Sequence, residues 1–202
     1  MKKVLGGVAA LMAVAVLGST FATSAGATWK PKPPTKNITE IVAASGGEFD
    51  RNRYDYDILL NAVLTAGLAE TLATPGLDVT VWAPNDKAFI RTARDLGYTG
   101  WSEQGAWDFL VVALTGLGNG DPIPVLTAIL TYHVTPEARG VKSVLRTKEF
   151  PTLQGGTIVR HGFTLQDADP DLKDPRLTWP LQIRATNGII HTIDRVLIPI
   201  NI

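Results

Sequence analysis

Residues 80–89, TVWAPNDKAF, combine a β-prone run with the start of a helix. Valine, threonine and tryptophan favour strands, so the run from Val79 to Ala83 predicts a strand. Pro84 should end it, because proline has no N–H for the ladder. Asn85 or Asp86 can then accept hydrogen bonds from the first N–H groups of a helix. The stretch therefore predicts a strand that passes directly into a capped helix.

More helices are predicted around this strand, from apolar residues at helical spacing and from capping residues. Asn37 can cap a first helix, and Glu40, three residues later, can complete a capping box. Asp55 or Asp57 is expected to cap the next helix. Further helices are predicted at 68–72, at 104–117, and from Pro122 or Pro124 up to the Tyr132-His133 pair.

The second half of the chain is rich in short alternating runs that predict strands. Asn187-Gly188, between two of them, is a strong hairpin signal and predicts a tight turn with positive φ angles. The runs are 150–153, 157–160, 163–165, 181–184 and 189–193. Helices with one strand, followed by a group of strands, predict an α+β domain with segregated layers.

The charge balance of the 202-residue chain excludes several classes of function. Lys2 and Lys3 are the only charged residues among residues 1–27, and the remaining chain has 17 basic and 19 acidic residues, a net charge of −2. Nucleic-acid binding without sequence preference needs a basic surface, and a polybasic membrane contact needs clustered lysine or arginine, so neither is expected. The absence of cysteine excludes disulfides, thiolate metal sites and a thiol nucleophile.

The N-terminus has the layout of a secretory signal peptide. Lys2-Lys3 is a short positive region, Val4–Leu17 is apolar, and Ala25-Gly26-Ala27 is an A-x-A cleavage site. The apolar run is shorter than the roughly 20 residues that span a bilayer. The product should be extracellular or periplasmic, and export without cysteine favours a bacterial source. The predicted organisation is a signal peptide at 1–27, a linker rich in proline and lysine at 28–36, and one domain at 37–202.

Three segments together resemble the signatures of the fasciclin domain family. They occur in the family's order and spacing, and the resemblance covers about residues 37–199, nearly the whole mature chain. The family's fold is a β-wedge of short strands with several helices packed around it, which agrees with the α+β pattern. The segments are 80–89 (TVWAPNDKAF), 130–134 (LTYHV) and 185–197 (ATNGIIHTIDRVL).

The resemblance implies a secreted, non-enzymatic module for adhesion or matrix interaction, with a protein or carbohydrate partner at a cell surface. In some animal members an Asp-Ile pair and the tyrosine-histidine motif are implicated in integrin binding. The corresponding residues here are Gln182-Ile183, which lacks the acid, and Tyr132-His133. The candidate partner-binding residues are therefore Tyr132, His133 and Ile183. The chain has a single module, and one weak site gives little avidity. Strong adhesion would therefore have to come from several weak contacts acting together, through weak self-association or a multivalent surface.

The alternative function is that of a carrier that encloses a small apolar ligand in a pocket of the wedge. A hydrolase is disfavoured, because the mature chain has only Ser45, Ser102 and Ser143, none in a G-x-S-x-G motif. No catalytic residue and no cofactor are expected. We expect His133 and His191 to be structural, with each ring donating to a backbone carbonyl.

No metal site is expected from the spacing of the acidic residues. Residues 167–174 hold four carboxylates, but the EF-hand pattern needs glycine at its sixth position and glutamate at its twelfth, where this chain has Leu172 and Thr178. Charge runs usually stay hydrated, so the segment is predicted to be a solvated loop, with calcium binding there left open.

Overall fold

The elements follow the predicted order, with helices around one strand in the first half and mainly strands in the second. The computed structural model describes residues 32–202; the predicted signal peptide and the first part of the linker lie outside the described residues. The helices are α1 (Ile38–Ala43), α2 (Asp57–Thr65), α3 (Ala69–Ala73), α4 (Asp86–Asp95), α5 (Glu103–Leu117), α6 (Ile123–Tyr132) and α7 (Val141–Val144). The strands are β1 (Val79–Pro84), β2 (Val134–Pro136), β3 (Glu149–Pro151), β4 (Thr157–His161), β5 (Thr164–Gln166), β6 (Ile183–Ala185) and β7 (Gly188–Ile193).

The four-stranded sheet brings together segments that are distant in the chain. Its strand order is β2-β1-β7-β6, with β1 parallel to β7 and antiparallel to β2, and with β6 antiparallel to β7. Thr80 lies opposite Ile189, and Trp82 lies opposite His191. Every residue of β1 is buried, so the first and last fasciclin-like segments form the centre of the fold as a pair.

A second sheet, with the antiparallel order β3-β4-β5, packs over a smaller core around Trp82. The Trp82 ring lies edge-on to Phe150, with centroids 5.0 Å apart, and stacks on His191 at 5.4 Å. Its indole N–H donates to the hydroxyl of Thr135 at 3.0 Å, so the buried polar atom has a partner. The fold class is the predicted one, α+β with short strands and several packed helices.

Two predicted helix caps are confirmed, and both use contacts within three residues. The Asn37–Glu40 capping box is present at the start of α1. The side-chain oxygen of Asn85 accepts from the N–H of Ala88 at 3.0 Å and begins α4. Each cap satisfies N–H groups that have no partner inside the helix.

The prediction that Asp55 or Asp57 caps α2 is wrong. No side chain of the preceding segment caps this helix, which begins after Tyr56. The carboxylate of Asp86 accepts instead from the N–H groups of Asp57 and Ile58, at 3.1 and 2.8 Å. The start of α4 therefore supplies the cap of α2, a contact between residues about 30 positions apart.

The hairpin between β6 and β7 is present, but its turn differs from the predicted one. Ala185 pairs with Gly188, so Thr186 and Asn187 occupy the turn, and neither Asn187 nor Gly188 has a positive φ. A Cβ at Gly188 would collide with the carbonyl oxygen of Val79. Glycine is thus required here for the close approach of β7 to β1 rather than for turn geometry.

The helices of the described part of the chain are too short or too polar to cross a membrane.

Candidate functional site

Tyr132 is the last residue of α6, and its side chain lies inside the protein. The residue is 1% exposed, and its hydroxyl donates to the carbonyl oxygen of Thr157 at 3.1 Å. Burial, together with the charge of Asp167, raises the pKa of Tyr132 to about 12. The ring packs on the core and the hydroxyl reaches the first residue of β4, so the contact links α6 to the second sheet.

His133, the next residue, is also buried and uses both ring nitrogens. Its Nδ1–H donates to the carbonyl of Ile129 at 2.8 Å, and Nε2 accepts from the N–H of Leu197 at 2.9 Å. The partners assign the tautomer, because only an unprotonated nitrogen can accept. Burial lowers the pKa of His133 to about 4, although the bond to Ile129 acts in the opposite direction. His133 is therefore a neutral link between the end of α6 and the segment after β7.

Ile183 lies on β6, at the edge of the four-stranded sheet, and is half-buried. It packs against the larger core cluster, whereas Tyr132 belongs to the smaller one around Trp82. The neighbouring Gln182 is held in place, because its side-chain oxygen accepts from the N–H of Val141 at 2.7 Å. Of the three candidate partner-binding residues, only Ile183 offers appreciable surface, and partner binding through the set stays a prediction.

His191 lies between two backbone carbonyls at the centre of the sheet. Its Nδ1 faces the carbonyl of Leu181, and its Nε2 faces that of Arg139 at 2.7 Å. Within residues 32–202 no serine hydroxyl hydrogen-bonds to a histidine ring: Ser45 donates to a backbone carbonyl, and the hydroxyl of Ser102 caps α5. The histidines of the two fasciclin-like motifs therefore join backbone segments, as expected from the sequence.

The prediction of a solvated loop at 167–174 is partly wrong. Asp169 is 3% exposed, and its carboxylate accepts from two N–H groups of the loop and from that of Ile202 at 2.9 Å. Asp167 accepts from the N–H of Ile198 at 2.8 Å. Burial raises the pKa of Asp167 to about 6. Burial also acts to raise the pKa of Asp169, but the three N–H groups that donate to its carboxylate hold this pKa below its usual value. These two carboxylates anchor the C-terminal segment.

That segment borders an apolar cleft of about 400 Å³ between α4, α5 and α6. Its lining is aliphatic or aromatic except for Thr92 and Gly116, and the Thr92 hydroxyl already accepts from the N–H of Val196 at 3.0 Å. Several lining side chains face solvent, above all Val112, which is 73% exposed. The volume lies in the range of small-molecule pockets, and exposed apolar surface around a groove is typical of binding sites. The cleft leaves no local pattern in the sequence, because its walls come from four separate segments of the chain.

A cluster of five carboxylates is the second feature that the sequence did not reveal. Two groups of three share Asp55, and within each group ligand oxygens lie within 4.8 Å of one another. Burial raises the pKa of Asp57, Asp86 and Glu103, and neighbouring carboxylates raise them further. The only sequence clue is the density of acids between residues 48 and 57. The groups are Asp50, Asp55 and Glu103, and Asp55, Asp57 and Asp86.

Comparison with known proteins identifies the family. The fasciclin domain model matches residues 54–199. The chain belongs to the fasciclin domain family. Fasciclin domains are typically extracellular modules of adhesion or interaction and are generally non-enzymatic.

Two similar proteins come from the cyanobacterium Synechocystis sp.. The uncharacterized protein sll1735 of Synechocystis sp. is 30% identical over 146 residues, covering 71% of this chain and 89% of the relative. Protein sll1483 of the same strain is 28% identical over 163 residues, covering 80% of this chain and 74% of the relative.

Among solved structures, a FAS1 domain pair from the insect cell adhesion molecule fasciclin I superimposes with a TM-score of 0.55 and 14% identity. The match covers 81% of this chain, which spans about half of that domain pair. At this identity the likeness concerns the fold alone.

Proposed function

We propose that the protein is a secreted, non-enzymatic interaction module that attaches to a partner at a cell surface or matrix through the apolar cleft. The exposed apolar rim of the cleft carries this proposal, because apolar side chains that face solvent around a cleft are typical of interaction surfaces. Family membership supports the class of function. The apolar lining favours a protein partner over a carbohydrate, since sugar hydroxyls need hydrogen-bonding groups that this cleft lacks.

The cleft, rather than the tyrosine-histidine motif, is the contact surface in this proposal. Tyr132 and His133 are 1% and 3% exposed, so a partner could touch them only after the core had opened. A partner can touch Val112 at the rim without any rearrangement of the protein, because its side chain is already exposed. The motif then acts indirectly, by holding α6 and the segment around Leu197 in place.

Adhesion of protein-coated beads to surfaces of the producing cells tests the proposal. Val112→Lys places a charge on the rim, and lysine is a good helix former, so the fold should persist. We expect the substitution to reduce bead attachment at least tenfold, without lowering the melting temperature. Phe163→Lys is the matched control, because Phe163 is also exposed, does not line the cleft, and gains the same charge. Equal attachment by the two variants would contradict binding through the cleft.

A second candidate function, a carrier of a small apolar ligand, is supported by the volume of the same cleft. About 400 Å³ is enough for a ligand of moderate size. Trp107 lines the cleft, so its fluorescence should report on occupation. Titration with N-phenyl-1-naphthylamine, followed by displacement with a fatty acid, should show saturable binding at one site if the protein is a carrier. Bead attachment without dye binding would favour the interaction module.

Export is part of the proposal and has its own test. The signal-peptide layout places the mature N-terminus near Thr28. N-terminal sequencing of the protein recovered from outside the cytoplasm should begin there. A membrane-bound protein with Met1 intact would contradict secretion.

A further inference from the structure

The five-carboxylate cluster joins segments that are far apart in the chain. It is built from the loop before α2 and from the first turns of α2, α4 and α5. Oxygens around one Ca²⁺ ion lie about 2.3–2.6 Å from it, so two ligands of one ion are at most about 5 Å apart. The 4.8 Å limit within each group of three carboxylates meets this requirement.

Three buried carboxylates in the cluster lack a complete set of partners. Asp55, Asp57 and Glu103 are 5%, 0% and 2% exposed. One oxygen of each already accepts a hydrogen bond. The donor is the Asn52 side chain for Asp55, the Gly47 N–H for Asp57 and the Asp50 N–H for Glu103. While the carboxyls are ionised, the other oxygen of each has no hydrogen-bond donor among residues 32–202. A proton on Asp86 would be shared with Asp55. Buried polar groups normally have partners, so these three oxygens point to a ligand.

The neighbouring basic side chains do not neutralise the cluster. No salt bridge of the described residues involves any of its five carboxylates. Arg94 and Arg53 lie over the Trp101 ring, 3.7 and 5.7 Å from its centroid, and Lys87 donates to the Tyr54 hydroxyl. Buried charges need a counter-charge or a metal ion, so the cluster requires either protons or a cation.

We propose that this cluster is a binding site for a hard divalent cation of the Ca²⁺ type. Carboxylate oxygen is the ligand that Ca²⁺ prefers, and the ion tolerates irregular arrangements of six to eight oxygens. Asp50 is exposed and offers a path from solvent to the buried ligands. An ion held by Asp55, Asp57 and Asp86 would tie the loop before α2 to the starts of α2 and α4. An ion held by Asp50, Asp55 and Glu103 would tie the same loop to the start of α5.

The free oxygens distinguish this cluster from the acidic loop at 167–174. The buried carboxylates of that loop, Asp167 and Asp169, accept from backbone N–H donors, and neither has a buried oxygen without a partner. The cation site is independent of the adhesion proposal, because none of its five carboxylates lines the apolar cleft.

The melting temperature in EDTA and in CaCl₂ tests the proposal on the mature protein. Extracellular calcium modules bind with dissociation constants of about 0.1–1 mM. At about ten times the dissociation constant we expect the melting temperature to rise by about 3–6 °C relative to EDTA. NaCl at matched ionic strength should give no such rise. Isothermal titration with CaCl₂ should give saturable binding in the same concentration range.

Asp57→Asn is the diagnostic variant, because asparagine keeps an oxygen for the Gly47 N–H but loses a charged ligand. We expect it to weaken Ca²⁺ binding at least tenfold while its melting temperature in EDTA stays equal to or above that of the wild type. Glu103→Gln, which can still accept from the Asp50 N–H, gives the same test for the other group of three carboxylates. Asp108→Asn is the matched control on α5, since Asp108 is exposed and lies outside the cluster.

Two results would overturn the proposal. One is a wild-type melting temperature that CaCl₂ does not raise above the NaCl control, which would show that protons alone neutralise the cluster. The other is a calcium response in Asp57→Asn and Glu103→Gln equal to that of Asp108→Asn, which would place the ion elsewhere on the protein.

Discussion

His133 shows how burial at a single residue sets both protonation and stability. A charged imidazolium could not accept the hydrogen bond from Leu197 at Nε2. Burial lowers the pKa of His133 in the folded protein to about 4, compared with about 6.5 in an unfolded chain. The folded state therefore binds fewer protons than the unfolded state between these values. The stability that depends on neutral His133 is present above about pH 6.5 and is lost as the pH falls towards 4.

Replacing this residue should change the pH dependence of stability. His133→Gln keeps an oxygen that can accept from Leu197 but does not titrate. We expect the advantage of the wild type over this variant to shrink by up to about 3 kcal/mol as the pH falls from about 6.5 to 4. Urea unfolding of both proteins across this range measures the difference.

The comparison cancels other titrating groups that the two proteins share. Asp167 has a pKa raised to about 6 by burial, so its ionisation destabilises the fold as the pH rises, the opposite sign to His133. Asp167 is present in both proteins and drops out of the difference. A difference that did not vary with pH would contradict a neutral, buried His133.

Tyr132 makes a simpler contribution, one hydrogen bond from a buried hydroxyl to Thr157. Tyr132→Phe keeps the ring and removes the bond, so we expect a loss of roughly 0.5–1.5 kcal/mol in the free energy of unfolding. Chemical denaturation measures it, with the exposed Tyr54 changed to Phe as the control. Bead attachment should be unchanged in Tyr132→Phe. If the Tyr132→Ala protein were stable but beads coated with it no longer attached to the cells, Tyr132 would contact the partner rather than serve only to stabilise the fold.

At the scale of elements, Asn187 links three parts of the structure. Its side-chain oxygen accepts from the Ile38 N–H at 3.0 Å, and its amide donates to the carbonyls of Leu72 and Thr74 at 2.8 and 3.1 Å. The β6–β7 hairpin is therefore joined to the start of α1 and to the end of α3. The residue is 3% exposed, so water does not readily replace these bonds.

Removing this link should destabilise the protein more than an ordinary turn substitution does. Asn187→Ala leaves one N–H and two carbonyls without their partner, and we expect a loss of about 2–4 kcal/mol. The adjacent Thr186 is exposed, so Thr186→Ala should change stability by less than about 0.5 kcal/mol. Thermal and urea unfolding of both variants provide the measurement. Equal losses would mean that only the turn matters, and not the link to α1 and α3.

At the scale of the whole molecule, the apolar cleft predicts weak self-association. A single module gives little avidity, and Val112 and Ile200 on the rim are 73% and 47% exposed. Sedimentation velocity of the mature protein should show a mass that increases with concentration, and Val112→Lys should reduce the increase. A strictly monomeric wild type at high concentration would instead restrict the cleft to a different partner or to a small ligand.

The sequence by itself determined the fold class, the family resemblance and the contacts that are local in the chain. The caps at Asn37 and Asn85 were predictable because each joins atoms within three residues, where the backbone alone sets the distance. Several strands of the second half were predictable from short alternating runs, and β1 from its β-prone residues. The structural role of His191 also followed, since it lies on a strand in an apolar run.

Only the tertiary structure decided the contacts between distant segments. The cap of α2 comes from Asp86 rather than from its own neighbours, and Asn187 serves a long-range link rather than a positive φ. The acidic cluster and the apolar cleft likewise combine residues from separate helices. Distances between such residues depend on how elements pack. Local propensity and residue spacing carry no information about them, so both candidate sites became visible only in the folded chain.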